Sequence, residues 1–116
     1  MFMSCHSKQE KTAGGNGSTA VATLARDFVF EDDRPFQQCH ASTGLRTEDG
    51  KFLVAWFGGT HEKHDDVGIW LSKGEPGKWS APSEVAKMRE DAHWNPVLFK
   101  DPSGTITLFF KDKKTN

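Results

Sequence analysis

The chain has 116 residues, a charged fraction of 27% and a formal net charge of −1, which fits one ordinary domain. Its positive charges form no basic stripe, so the composition argues against a nucleic-acid partner. No segment approaches the ~18 consecutive apolar residues that a membrane-spanning helix requires.

Residues 1–22 are rich in Gly, Ser and Lys and are predicted to form a flexible leader, which leaves 23–116 for a folded domain. The pair Ser4-Cys5 followed by a polar tether is typical of the cleavage region of a bacterial lipoprotein signal, although the apolar segment that should precede it is missing. Two interpretations stay open. Either Cys5 is lipidated and anchors an exported protein in the periplasm or at the cell surface, or it is incidental in a disordered tail.

The first elements of the folded domain are short. Residues 28–30, an apolar triplet between charged flanks, are predicted to form a short strand. Cys39 stands at the entrance of the next strand and is interpreted as a small buried hydrophobic residue. With Cys5 it permits a disulfide but does not indicate one.

Four strands then follow in close succession. An Asp-Gly pair at 49–50 is a strong signal for a hairpin between the first two. The second strand has six consecutive apolar residues, which predicts that both of its faces are covered. The strands are predicted at 42–47, 52–57, 67–71 and 79–85, with a polar loop at 60–66 and a turn at 73–78.

The pattern then starts again, with strands predicted at 95–99 and 105–110 around a turn at 101–104. The separation of His40 and His93 is close to the ~40–50 residues of one propeller blade. Propellers contain ~4–8 such blades. The chain would therefore hold about one and a half four-stranded meander blades, too few to close a ring, and we expect exposed edges with marginal stability or self-association.

Several separated blocks resemble a known family. Residues 72–79 resemble the Asp-box turn of sialidase propellers (Ser-x-Asp-x-Gly-x-Thr-Trp), with Gly74 in place of the Asp and Pro76 in place of the Gly. The wider run 38–111 is similar to bacterial predicted neuraminidases with BNR repeats. The resemblance implies an all-β fold, a partial sialidase-like propeller from a ring of about six blades, with the remaining blades absent from this chain.

The resemblance also implies a glycan substrate and no cofactor. Sialidases hold the sugar carboxylate with arginines, the first of which lies in an Arg-Ile-Pro motif, and here His40 takes that place. They use a Tyr nucleophile, and this chain contains no Tyr, so it is expected to be inactive alone. The expected parent is a glycoside hydrolase, or a His-dependent polysaccharide lyase or glycosidase, acting on exported or extracellular glycans. The alternative is a non-catalytic glycan-binding surface lipoprotein.

The topology of a meander blade places the polar residues of several loops on one rim. His40 is the candidate general acid or base, because an imidazole titrates near neutrality. Glu62, Asp65 and Asp66 supply the candidate carboxylic acid, since the sialidase acid/base Asp comes from this loop and partial desolvation raises a carboxyl pKa. The alternatives are a buried His bonded to the backbone and a solvated acidic loop.

Residues for substrate binding are predicted on the same rim. An indole can stack on a sugar ring, while amide, imidazole and ammonium groups can bind hydroxyls or a carboxylate. The predicted set is His61, His93, Trp94, Asn95 and Lys111. No metal is assigned, because the His-Glu-x-His run at 61–64 is not the helical zinc signature and the Gly58-Gly59 pair opposes a helix.

Overall fold

A computed structural model describes residues 26–113 as two antiparallel sheets. In the first sheet β1, β2 and β3 are neighbours, and β4 and β5 both pair with β3. β6 and β7 form the second sheet. The predicted all-β fold with one and a half blades is confirmed, and the described residues do not close a ring. The strands are β1 Gln38–Arg46, β2 Phe52–Gly59, β3 Gly68–Glu75, β4 Lys78–Trp79, β5 Ser83–Ala86, β6 His93–Lys100 and β7 Ile106–Asp112.

Strand β2 is buried on both faces, as its continuous apolar sequence predicts. Trp56 points into one core cluster and Phe57 into a second cluster on the opposite face, because neighbouring side chains of a strand alternate. The first cluster contains Val29, Phe36, Cys39, Val54 and Trp56. The second contains Phe57, Val67, Ile69 and Ala92.

The predicted strand at 28–30 is wrong, because this segment forms a bend. The amide of Phe28 donates to the Asp27 carboxylate at 2.8 Å, and such local side-chain bonds compete with strand ladders. The segment still contributes to the core: the Phe30 ring lies 5.1 Å from Trp56 and 5.0 Å from Phe36, measured between ring centroids. A loop therefore covers this face of the first sheet.

Cys39 lies beneath that loop and is only 3% exposed, as predicted. It is also disulfide-bonded, which the sequence does not indicate, and its partner lies outside the described residues. The leader at 1–22 and Cys5 fall outside them as well.

The degenerate Asp box forms a β-hairpin where a turn over 73–78 was predicted. β3 continues to Glu75 and the chain returns through Pro76 and Gly77, whose φ of 86° suits the second central position of a type II turn. The buried Ser72 hydroxyl donates to the Ser80 carbonyl at 2.7 Å and closes the base of the hairpin. The predicted outer strand 79–85 is divided into β4 and β5 at Pro82, which cannot donate to a ladder.

The two sheets repeat the same irregularity. β1 has a register shift between His40 and Thr43, and β6 has one between Trp94 and Val97. Each bulge contains a left-handed residue, Ala41 (φ 55°) in the first sheet and a residue 54 positions later, at 95 (φ 52°), in the second.

This spacing changes the register of the internal repeat. It makes His40 equivalent to Trp94, and Cys39 equivalent to His93. The sequence pattern predicts instead that His40 and His93 occupy equivalent positions of the repeat. Since a slip of one residue exchanges the faces of a strand, His40 is exposed while His93 is buried.

The second sheet packs against the first through β6. The amide of Leu98 donates to the Thr43 hydroxyl at 3.3 Å, and the Lys100 ammonium donates to the Arg46 carbonyl at 2.9 Å. The opposite face of the second sheet is uncovered by any described residue, and Val97, Phe99 and Phe109 are 52%, 53% and 57% exposed on it. Val97 and Phe109 are direct cross-strand partners, so these side chains form one apolar patch.

The left-handed residue Ala41 provides a test of the bulge. A β-branched side chain is strained at this φ, so we expect Ala41→Val to lower the free energy of unfolding by about 1–2 kcal/mol. Ala41→Gly should leave it unchanged or raise it by up to about 1 kcal/mol. Chemical denaturation measures both values. Ser42→Val, an exposed neighbour without a positive φ, is the control and should be nearly neutral; equal losses at positions 41 and 42 would contradict the assignment.

The apolar patch of the second sheet leads to a prediction about association. We expect the chain to self-associate through Val97, Phe99 and Phe109, because contiguous exposed apolar surface is removed from water when copies meet. Phe99→Lys should shift the chain toward monomer in light scattering measured over a concentration series. Val85→Lys places the same charge on an exposed apolar residue of the first sheet and should have little effect; a similar shift in both variants would argue against the patch.

Candidate functional site

The chain positions that the sequence assigns to one rim lie at one end of the two sheets. At this end Gln38, near the start of β1, pairs with Gly59 at the end of β2, while His93 at the start of β6 pairs with Asp112 at the end of β7. The loop over 60–66, here called the rim loop, continues directly from β2. The rim is defined as His40, the rim loop, residues 93–95 and Lys111.

His40 is exposed at the start of β1, so the alternative of a buried histidine does not apply. Its ring lies 5.8 Å from the ring of its cross-strand partner Phe57, measured between centroids. Phe57 also belongs to the core cluster against which Trp94 packs. The imidazole therefore has one side supported by the core and is otherwise open to solvent.

Asp66 holds the rim loop in shape. Its carboxylate accepts the Thr60 amide at 3.0 Å and the Thr60 hydroxyl at 2.5 Å, and the His64 Nδ1 lies 2.8 Å away. Burial raises the pKa of Asp66, but the hydrogen bonds from Thr60 and the nearby imidazole outweigh it, so the pKa lies below its ordinary value. The predicted raised pKa is thus wrong for Asp66, which favours the ionised form and is unsuited to donating a proton.

The other two acidic side chains of the rim loop, Glu62 and Asp65, are exposed. Asp65 keeps 63% of its side chain accessible and has the Lys113 ammonium 3.9 Å from its carboxylate. Glu62 contributes its backbone carbonyl to the Trp94 indole, which leaves its carboxylate in solvent. Asp65 and Glu62 are therefore the carboxylates of the rim loop that remain available to a ligand.

His93 is fully buried, so its predicted contact with substrate does not fit the structure. Its Nε2 accepts the Met88 amide at 3.2 Å, which requires the proton to be on Nδ1, and Nδ1 lies 2.6 Å from the Asp91 carbonyl. The ring also lies 5.5 Å from Phe110. Both ring nitrogens are used, and His93 is a structural residue of the second sheet.

Trp94, Asn95 and Lys111 remain accessible on the rim. The Trp94 indole is half-buried, and its Nε1 donates to the Glu62 carbonyl at 2.7 Å, which fixes the ring beside the rim loop. Lys111 is the cross-strand partner of Trp94. Asn95 occupies the left-handed position of the bulge, so its side chain leaves the regular alternation of β6.

The last predicted contact, His61, is also exposed, and its ring makes an edge contact with His64 at 5.2 Å. Within residues 26–113, no three His, Cys, Asp or Glu side chains are arranged to hold a metal ion. Over the same range no helix has the length and apolar character needed to cross a membrane.

Sequence reasoning missed Thr60, which fixes the Asp66 carboxylate, and Lys87. The Lys87 ammonium reaches backbone carbonyls of the rim loop and of the segment before β6. A lysine after an outer strand carries no recognisable signal for this role, since most such side chains are solvated. The role of Thr60 could have been recognised in the sequence. Thr60 and Asp66 stand at the two ends of a short loop, and a Thr and an Asp in such positions can close the loop.

Two cavities lie away from the rim. One of about 350 Å³ runs along β1 and β2 and is lined by Ser42, Thr43, Gly44, Leu45, Arg46, Phe52 and Val54. A wider one of about 620 Å³ lies between the covering segment 27–35 and the hairpin that ends at Trp79. Neither includes a residue of the predicted site.

The Thr60–Asp66 contacts predict a pH dependence. Because the pKa of Asp66 is lowered from 3.8, its ionised form stabilises the folded loop fully above that ordinary value, and this contribution is lost as the pH falls through the folded pKa. Thr60→Val removes the hydroxyl donor and should move the pKa back upward. An NMR titration of the Asp66 carboxyl carbon measures the shift. Thr107→Val, an exposed threonine of β7, is the control, and an unchanged Asp66 pKa in Thr60→Val would refute the assignment.

Comparison with known proteins gives one match. Residues 50–115, more than half of the chain, match the family described as BNR repeat-like domain. No curated protein and no solved structure matches the chain. The matched range includes the rim loop, Trp94 and Lys111 but begins after β1, so the role of His40 depends on geometry alone.

Proposed function

Because the chain belongs to the BNR repeat-like domain family, whose repeats are typical of sialidase-like glycoside hydrolases, we propose that it is part of a carbohydrate-active enzyme acting on glycans that carry acidic or deoxy sugars. The observation that carries the proposal is the gathering of an exposed imidazole, exposed carboxylates and an indole at one end of both sheets. Trp94 is the link, since it packs on the Phe57 cluster beside His40 and bonds the rim loop.

In the proposed mechanism, His40 transfers a proton to or from the sugar. Its exposure allows contact with substrate, and the apolar surface of Phe57 beside it limits its hydration on one side. Of the three candidate carboxylates of the rim loop, Asp65 is exposed and assists as acid or as electrostatic partner. Asp66 takes a structural role instead, because its carboxylate is already bonded by Thr60.

Sugar binding is assigned to the neighbouring residues. The exposed part of the Trp94 indole can stack on a sugar ring, and its orientation is fixed by the Glu62 carbonyl. Lys111, paired with Trp94 across the strands, can bind a sugar carboxylate as a point charge, without the planar fork that an arginine offers. Asn95 and His61 are proposed contacts for hydroxyl groups. This arrangement differs from the arginine-clamped chemistry of sialidases.

A mutation at His40 tests the catalytic assignment. We expect His40→Ala to reduce turnover of a responsive glycan by about 10²–10⁴-fold, the usual contribution of a general acid or base, with binding largely retained. Turnover is measured on the full-length protein with a panel of acidic and deoxy-sugar glycans, and binding by calorimetry. Lys78→Ala, in the hairpin at the opposite end of the sheet, is the matched control and should behave as the unmodified protein.

The second candidate is a non-catalytic glycan-binding protein. It is favoured by the lowered pKa of Asp66, whose carboxylate accepts the hydrogen bonds from Thr60, because the ionised form is not a proton donor. Binding without turnover across the panel would support this candidate and reject the enzymatic one. Trp94→Ala should then weaken binding by about 1–3 kcal/mol through the lost stacking surface.

We also propose that the protein is exported and acts in the periplasm or at the cell surface. The disulfide at Cys39 supports this, because disulfides persist in oxidising compartments. Cys5 lies outside the described residues, and the chain has two cysteines. A lipid on Cys5 and a disulfide that uses the same thiol exclude each other, so mass spectrometry of the mature protein decides between anchored and disulfide-linked forms.

A further inference from the structure

Lys87 is a half-buried cation that neither the sequence nor the family match assigns to any function. It follows β5 directly and lies beside the start of β3, because Ala86 pairs with Ile69. Its side chain is half-buried, which is uncommon for a lysine, and its ammonium is directed at backbone oxygens. The contacts therefore need an explanation beyond a solvated surface charge.

The ammonium is bound by three carbonyls from two segments. Lys87 Nζ donates to the Asp65 carbonyl, to the Val67 carbonyl at 3.3 Å and to the Asp91 carbonyl at 2.7 Å. An ammonium has three N–H donors and no acceptor, so these oxygens use its full hydrogen-bonding capacity. Hydrogen bonds from a charged donor of this kind are stronger than those between neutral groups.

These carbonyls lie on the two segments that shape the rim. Asp65 lies near the end of the rim loop and Val67 directly follows it, while Asp91 precedes β6 and bonds the His93 ring. The Val67 carbonyl also accepts the His93 amide at 2.9 Å. One ammonium thus joins the end of the rim loop to the start of β6, where Trp94 follows.

We propose that Lys87 is the positioning residue of the rim: it holds the rim loop against the start of β6, so that Asp65 and Trp94 keep a fixed separation. The consequence for glycan binding rests on the proposed function. The set of hydrogen bonds from the Lys87 ammonium, here called the clamp, does not. Because every acceptor is a backbone oxygen, the clamp does not depend on the ionisation of the neighbouring acids.

The test compares two lysines that face the same loop. Lys87→Met keeps the apolar stem and removes the ammonium, and Lys113→Met removes an equal charge that lies 3.9 Å from the Asp65 carboxylate without contacting its carbonyl. We expect Lys87→Met to raise the hydrogen-exchange rates of the Asp66 and Val67 amides by about 10–100-fold, since losing the three bonds of the ammonium opens the loop locally. The amides of β2 should be unchanged. Equal rates in the two variants would overturn the proposal.

A second variant covers the case in which Lys87→Met fails to fold. Lys87→Ala leaves a space bordered by three carbonyls, into which ethylammonium can place a similar charge. We expect added ethylammonium chloride to restore the protection of the Val67 amide, with sodium chloride at equal ionic strength having no effect. A variant that stays unfolded or unprotected in ethylammonium would contradict the clamp.

The same variants separate this proposal from the proposed function. If the unmodified protein binds a glycan, Lys87→Met should weaken binding about tenfold or more, whereas Lys113→Met should change it less, because only the first alters the placement of Trp94. If the unmodified protein binds no glycan, the proposed function fails. The exchange and ethylammonium measurements then still decide whether Lys87 holds the loop.

Discussion

The burial of strand β2 on both faces is the constraint on which the rest of the structure depends. Trp56 needs a cover on one face and Phe57 needs one on the other, and the chain supplies two different covers. The loop over 28–36 closes the first face without forming a strand, and the second sheet closes the other. Losing either cover would expose a large aromatic side chain, so both covers are needed to bury β2.

The bulge in β1 lies opposite the same strand, β2. Two residues, Ala41 and Ser42, oppose Trp56, so that His40 and Thr43 both lie on the face of Phe57 while Cys39 remains in the opposite core cluster. The second sheet repeats the bulge at Asn95, and there the equivalent of His40 is the half-buried Trp94. The rim therefore receives one side chain from each inner strand at an equivalent position, an imidazole from the first and an indole from the second. Their proximity to the rim loop is a consequence of backbone register.

Much of the fold could be predicted because the signals were local. The continuous apolar run of β2 and the Asp-Gly turn before it are both determined within a few residues. The segment at 28–30 could not be assigned, since its apolar content fits a strand and only the Asp27 hydrogen bond and the absence of a paired edge decide otherwise. The predicted register of the repeat was wrong by one residue. His40 and His93 look equivalent in sequence, whereas Ala41 and Asn95, the left-handed residues that define the repeat, are of different types.

The candidate site was predicted less completely, for a physical reason. Exposure and bonding of a polar side chain depend on how nearby loops fold: His93 is bonded by the Met88 amide five residues earlier, and Asp66 by Thr60 six residues earlier. No composition rule distinguishes such residues from Asp65 or Lys111, which have the same chemistry and remain open. Sequence could place the polar residues at one rim, but the hydrogen bonds decide which of them are structural and which are free to meet a ligand.

The two repeats differ most at the rim itself. Phe57 of the first sheet corresponds to Lys111 of the second, since both lie one position from the bulge partner and are 54 residues apart. Lower on the same face the second sheet has the exposed apolar residues Val97, Phe99 and Phe109, where the first sheet has Thr43, Leu45 and Ala55. The second sheet thus has an apolar body and a cation, Lys111, at its rim end. The separation of the two along β7 fits the proposed site at the rim, whichever residue there carries the chemistry.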